Sequence, residues 1–90
     1  MQLDAVSVRI REFLVEHFPL TRNIGNGDRL LGNGFLDSLA ILEVVTFLEH
    51  EFQITVTDEE LLPENFQSIE RLAAFVQNKL NGFTPRGLER

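Results

Sequence analysis

The sequence predicts an all-α domain: a small four-helix bundle of three main helices and a short third one, with a long first loop. Three observations lead there. Apolar residues recur at three- and four-residue steps in three separate stretches. Pro19, Pro63 and a run of glycines punctuate those stretches. Ile54-Thr55-Val56 could pass for a strand, but it has no partner.

The first helix is read over residues 4–17. Val6, Ile10, Phe13, Leu14 and Phe18 form its apolar stripe, Arg9, Arg11, Glu12 and Glu16 fall mostly on the other side, and Pro19 stops the pattern. Residues 19–36 make the long loop, in which Gly25, Gly27, Gly32 and Gly34 alternate with Asn23, Asn26 and Asn33. Leu30, Leu31, Phe35 and Leu36 give it apolar anchors, so it is expected to pack over the helix ends. Connections of this length inside a compact domain tend to be functional.

The second helix is read over residues 38–51. At about 100° per residue, with Ile41 at zero, Val44, Val45, Leu48 and Phe52 lie within about 60° of Ile41 and make a core stripe. Leu39, Leu42 and Thr46 gather at about 100–160°, beside Glu43, Glu49 and His50. This second, smaller apolar strip either packs under the loop or the short helix, or is a docking surface with an acidic border. Phe47, at about 240°, faces the short helix or solvent.

The short third helix fits residues 58–62, where Thr57-Asp58-Glu59-Glu60 is a capping-box pattern and Pro63 ends it. The fourth begins at Ser68, buries Ile69, Leu72, Ala73, Val76 and Leu80, and ends at Asn81-Gly82 with Lys79 on the helix dipole. Residues 1–82 form one domain and 83–90 a flexible tail.

Composition narrows the function. The chain has 90 residues and no Cys, which excludes a disulfide framework, a thiolate zinc site and a cysteine nucleophile. No apolar run approaches the roughly 18 residues of a membrane span, and no signal-peptide pattern opens the chain, so a cytoplasmic protein is expected. The net charge of −6 is unevenly spread. Residues 1–36 balance four acids against four bases, residues 37–70 hold nine acids and no Lys or Arg, and residues 71–90 carry four bases and one acid. Nucleic acid is thereby disfavoured as a partner and a basic protein surface favoured. The same charge favours a monomer; a plain solvated acidic face is the other reading.

Catalytic constellations are missing. Ser38 lacks a nucleophile-elbow context, and its possible bases fail: His17 closes the first helix, while His50 lies three turns along the helix that Ser38 opens. The glycine loop has neither the phosphate-binding pattern nor the carboxylate spacing of a calcium loop. Asp37-Ser38 poses a different question. Asp37 is a good helix cap already, so the adjacent Ser38 hydroxyl is left spare, at a helix N-terminus whose amides favour a phosphate group.

Taken together, Asp37-Ser38-Leu39, Leu48-Glu49 with Phe52, Ile54 and Val56, Asp58-Glu59-Glu60 and the Ser68-Ile69…Leu72 helix start resemble the acyl carrier protein family over nearly the whole chain. The resemblance implies that Ser38 bears a 4′-phosphopantetheine arm delivered from coenzyme A by a phosphopantetheinyl transferase. Its thiol would hold an acyl or aminoacyl group as a thioester, which accounts for a carrier without Cys. It implies too that the second helix is the recognition helix. Basic patches of a loading ligase and of downstream acyl-transfer or synthase enzymes would meet Asp37, Glu43 and Glu49, with Thr46 and His50 on the same face and Leu39 and Leu42 as the apolar contact. Two positions depart from members serving general fatty-acid synthesis: Ala40 stands where an acid is common, and Thr46 where a Met is. These departures point to a free-standing carrier in a specialised pathway. The rival readings are an acidic helical adaptor that binds a basic partner non-covalently, and an acidic mimic of nucleic acid.

Overall fold

The computed structural model describes residues 5–32 and 36–81. The predicted helix start at residue 4, the Phe35 anchor, and Gly82 with the predicted tail at 83–90 lie outside these. Three α-helices form: α1 (Ala5–His17), α2 (Ser38–Phe52) and α3 (Ile69–Leu80). Among the described residues there is no strand, only an isolated bridge between Leu31 and Leu36.

The core is where the apolar periodicities meet. Val6, Ile10 and Leu14 of α1, Val44 and Leu48 of α2, and Ile69, Leu72, Ala73 and Val76 of α3 are all buried. Ile41, Val45 and Phe52 pack against this core while half-buried. Phe47 turns to α1: its ring stacks on Phe13 with centroids 4.1 Å apart. Phe75, outside the predicted stripe of α3, is buried against Phe66 at 6.3 Å. Leu80, expected in that stripe, is 48% exposed, because α3 ends there and has no further turn to cover it.

The expected short helix over residues 58–62 is corrected to a single 3-10 turn, Asp58–Glu60, followed by a second 3-10 turn, Pro63–Phe66. The three-residue span is too short to repay helix nucleation, and Pro63 withholds the N–H that a longer helix would need. The bundle therefore has three α-helices among the described residues, with this pair of turns in the place of a fourth. The capping residue still acts: the Thr57 N–H donates to the Glu60 carboxylate at 3.0 Å.

Glu60 does more than cap. Lys79 on α3 donates to both of its carboxylate oxygens at 2.9 Å, and the Asn65 amide donates to its backbone carbonyl at 2.9 Å. The turn segment is thus tied to α3 by a pair that is mostly screened from solvent. Partial burial pushes the Glu60 carboxyl up, but the Thr57 N–H and the Lys79 ammonium outweigh it and hold the carboxyl below its usual range. A carboxyl lowered on folding stabilises fully above its unfolded value, ~4.3, and that contribution is lost as pH falls through the folded value. Glu60→Gln is accordingly expected to cost about 1–3 kcal/mol at neutral pH, with the gap to the parent closing in acid. Urea titrations of both proteins at neutral pH and near pH ~3 check this; a gap that persists unchanged in acid would remove the ionic explanation.

The long loop is packed, as its anchors suggested. Leu30 and Leu36 are buried and Leu31 half-buried. Ile24 and Thr21 are buried too, neither of which hydropathy singled out; the Thr21 hydroxyl satisfies itself by donating to the Phe18 carbonyl at 2.8 Å. Backbone bonds tie the loop to the entry of α3: Leu30 N–H to the carbonyl of Gln67, just ahead of that helix, at 2.6 Å and Glu70 N–H in its first turn to the Asn26 carbonyl at 2.9 Å. Arg11 holds the loop from α1, donating to the Ile24 carbonyl at 2.7 Å and to the Asn26 side chain. The loop's end, and with it the start of α2, is fixed against the bundle.

Candidate functional site

Asp37 and Ser38 divide the work at the mouth of α2. Asp37 is the N-cap in extended geometry, its carboxylate accepting the Ala40 N–H at 2.9 Å. Its backbone carbonyl receives the first intrahelical bond, from Ile41 at 3.0 Å. Ser38 is the first helical residue and is exposed, and among the described residues its hydroxyl has no hydrogen-bond partner. A hydroxyl that caps nothing, on a rigid helix end, is open to modification. The amides and dipole at that end favour an attached phosphate, while the Asp37 carboxylate opposes it.

Beside Ser38 lies a groove of about 460 Å³. Leu31 and Leu36 of the loop, Ile41 of α2, and Leu61, Leu62 and Phe66 of the turn segment line it. Ser38 thus opens beside a trough with apolar walls, which suits a slender organic arm better than a bare phosphate. Residue types and geometry together fit a phosphopantetheine group. The groove's far wall was not legible in the sequence: Leu61 and Leu62 carried no periodic signal, although two leucines before a proline, neither needed by a helix stripe, are a hint of a surface use.

The second apolar strip of α2 stands free. Leu39 is 71% exposed and Leu42 56%, so neither packs under the loop or the turns. Glu43, Thr46 and His50 are exposed beside them. The Thr46 hydroxyl donates to the Leu42 carbonyl at 3.1 Å, which satisfies it within the helix. Glu49 sits apart from the strip: half-buried, its carboxylate accepts the Val56 N–H at 2.9 Å and draws residues 53–56 back onto α2. His50 and Ser38 are separated by twelve positions of α2, about 18 Å along the axis, so the two do not meet. Among the described residues no group of His, Asp and Glu could hold a metal ion, and no helix is long and apolar enough to cross a membrane.

Comparison with known proteins agrees with this geometry. Residues 21–76, more than half of the chain, match the family model described as a phosphopantetheine attachment site. The chain is also similar to aminoacyl carrier protein 1 of Bradyrhizobium diazoefficiens, 29% identical over 77 residues, which cover 86% of this chain and 84% of the relative. No solved structure matches. The matched segment runs from the loop through the Asp37-Ser38 helix mouth to α3, and the chain belongs to the acyl carrier protein family: a carrier with covalently attached 4′-phosphopantetheine, not a catalyst.

Proposed function

We propose that Ser38 is the attachment residue and that the protein carries an aminoacyl or other acyl group for a specialised pathway. The observation that carries the first half is the division of labour at the helix mouth: Asp37 caps, and the Ser38 hydroxyl is exposed and has no hydrogen-bond partner among the described residues. In the attachment step the Ser38 oxygen bonds to the pantetheine phosphate of coenzyme A. The phosphoanhydride breaks, adenosine 3′,5′-bisphosphate leaves, and the hydroxyl proton passes to a base of the transferase. Once bound, the arm supplies the thiol that holds cargo as a thioester. The chain's own part is to keep Ser38 fixed, offer the helix end to the phosphate and leave the adjoining groove open to the arm.

The cargo half is supported by two things. The name of the Bradyrhizobium relative is that of an aminoacyl carrier. Ala40, buried on the core side of α2, stands where fatty-acid carriers commonly place an acid just after Asp-Ser-Leu, and Thr46 stands in place of their Met. Partners of the carrier are read as a phosphopantetheinyl transferase, a loading ligase and downstream acyl-handling enzymes. They would meet Leu39, Leu42, Glu43, Thr46 and His50, together with the carboxylate oxygens of Asp37 and Glu49 that internal bonds leave available.

The deciding experiment is intact-protein mass after incubation with coenzyme A and a broad-specificity phosphopantetheinyl transferase. One added phosphopantetheinyl group on a folded protein is expected; none would sink the carrier reading. Offered next to fatty-acid synthesis enzymes, the modified protein is expected to support chain extension poorly. Efficient extension would remove the specialised reading while leaving the carrier reading intact.

A further inference from the structure

Strong side-chain nucleophiles are scarce in this chain. It has no Cys, and of its eight Lys and Arg residues seven are Arg; Lys79 is the one Lys. A carrier of thioesters is exposed to its own nucleophiles. A thiol or a neutral amine that meets a thioester takes the acyl group from it, and the amine keeps it, because the amide formed is far less reactive. A guanidinium stays protonated and offers no lone pair. An imidazole gives an acyl bond that water breaks. Lys79 is therefore the side chain able to divert cargo into a lasting bond.

The fold sets Lys79 behind the wall of the groove beside Ser38 and occupies its amine. Phe66, which lines that groove, lies against Phe75 with ring centroids 6.3 Å apart, and the Lys79 ammonium stands 5.9 Å from the Phe75 centroid. Both Glu60 carboxylate oxygens accept from this ammonium at 2.9 Å. Glu60 is itself held, its carboxylate by the Thr57 N–H at 3.0 Å and its carbonyl by the Asn65 amide at 2.9 Å. The Lys79 side chain is left only 15% exposed. Leu61 and Leu62, which follow Glu60 directly, line the groove.

We infer that the Glu60–Lys79 pair keeps the carrier from acylating itself: Lys79 is a latent N-acylation site, and Glu60 withholds its amine from the thioester. The inference rests on the reading that Ser38 holds the arm. An arm that follows the groove brings its thioester to the wall of Leu61, Leu62 and Phe66, with Lys79 behind it. Released from Glu60, the ammonium loses a proton to solvent, and the nitrogen lone pair bonds to the thioester carbonyl carbon. The C–S bond breaks with its electron pair on sulfur, and a second proton passes from nitrogen to that sulfur. The products are an amide on Lys79 and a free thiol on the arm, with nothing oxidised or reduced.

The test loads the full chain from acetyl-coenzyme A with a broad-specificity transferase, so that the arm arrives as an acetyl thioester. Excess coenzyme is removed, hydroxylamine cleaves the remaining thioester at each time point, and the surviving acetyl groups are mapped by peptide mass. The protein's N-terminal amine, acetylated in the same molecules, is the internal reference. In E60Q, acetylation of Lys79 relative to that reference is expected to rise about tenfold over the parent, at a rate independent of protein concentration. E60Q/K79R is expected to gain no lasting acetyl group at position 79. I10V, which loosens the core of α1 and leaves the pair in place, is expected to stay within about twofold of the parent. Trace labelling of the unmodified proteins with acetic anhydride reads the shield without the arm, and Lys79 is expected to label faster in E60Q than in the parent. A loaded E60Q protein with Lys79 no more acetylated than in the parent would overturn the inference and leave the carrier reading standing. So would an equal rise in I10V, which would make general loosening the cause. Failure of the arm to attach shows in the first mass and sinks both.

Discussion

Ser38→Ala is expected to accept no phosphopantetheine at all while unfolding within about 0.5 kcal/mol of the parent. The reason is the separation of duties at the helix mouth. Ser38 is exposed and among the described residues its side chain satisfies no backbone amide, so removing the hydroxyl leaves no buried group there without a partner. Asp37 supplies the mirror experiment. Its carboxylate accepts the Ala40 N–H at 2.9 Å, and Asp37→Ala is expected to cost about 0.5–2 kcal/mol. Ser38 does not take over the lost bond, because it already has helical backbone geometry and a capping side chain must sit one position earlier. The two substitutions therefore act on different measurements, Ser38→Ala on the mass of the modified protein and Asp37→Ala on its stability. Intact mass and urea titration of both variants decide it. A Ser38→Ala protein that loses more than Asp37→Ala in stability would show that the hydroxyl holds the helix, and the opportunity for attachment would lose its structural basis.

The same helix mouth shows what was legible before any coordinates. The three long amphipathic stretches give their helices because a 3.6-residue period is written into Val6, Ile10 and Leu14, and again into Ile69, Leu72, Ala73 and Val76, all of which are buried. That Leu39 and Leu42 lie off the core was legible, since they fall too far round the wheel from Val44 and Leu48 to share it. Whether the strip packs under the loop or stands exposed was left open until the structure showed both leucines exposed. Where periodicity is missing, the reading thinned. Thr21, Ile24 and Phe66 are buried in segments with no repeat to mark them, and the backbone bonds that tie Asn26 and Leu30 of the loop to Glu70 and Gln67 are announced by no local pattern. The Glu60–Lys79 pair spans nineteen positions, and capping accounted for both residues separately without the tertiary contact that joins them. Helix type failed for a related reason. Asp58-Glu59-Glu60 has the chemistry of a helix start, but the five residues 58–62 that precede Pro63 are too few to propagate one. Carrier chemistry at Ser38 came from resemblance, and the physics of capping shows only that the hydroxyl is free for it.

Phe66→Ala is expected to be the most damaging single change to stability, at about 3–5 kcal/mol. Phe66 is 2% exposed, stands at the end of the second 3-10 turn and packs against Phe75. Short turns make few backbone bonds of their own, so this ring is what fastens the segment to the core from within, while Lys79 ties it from outside. A domain of this size holds about 5–15 kcal/mol in total, so the loss is a large fraction of what there is. It corresponds to a fall in Tm of about 12–40 °C at about 4–8 °C per kcal/mol. The same ring lines the groove beside Ser38, whose other wall belongs to the firmly packed α2 and loop. The variant should therefore loosen Leu61 and Leu62 without disturbing Asp37, and still accept phosphopantetheine at low temperature. Leu80→Ala is the control, an equally apolar side chain on a helix end that is 48% exposed, expected to shift stability by no more than about 0.5 kcal/mol. Thermal melts of both, with intact mass measured well below each transition, separate the two functions of the ring. Loss of modification in a Phe66→Ala protein that is still folded would mean that the groove wall itself helps to present Ser38 to the transferase.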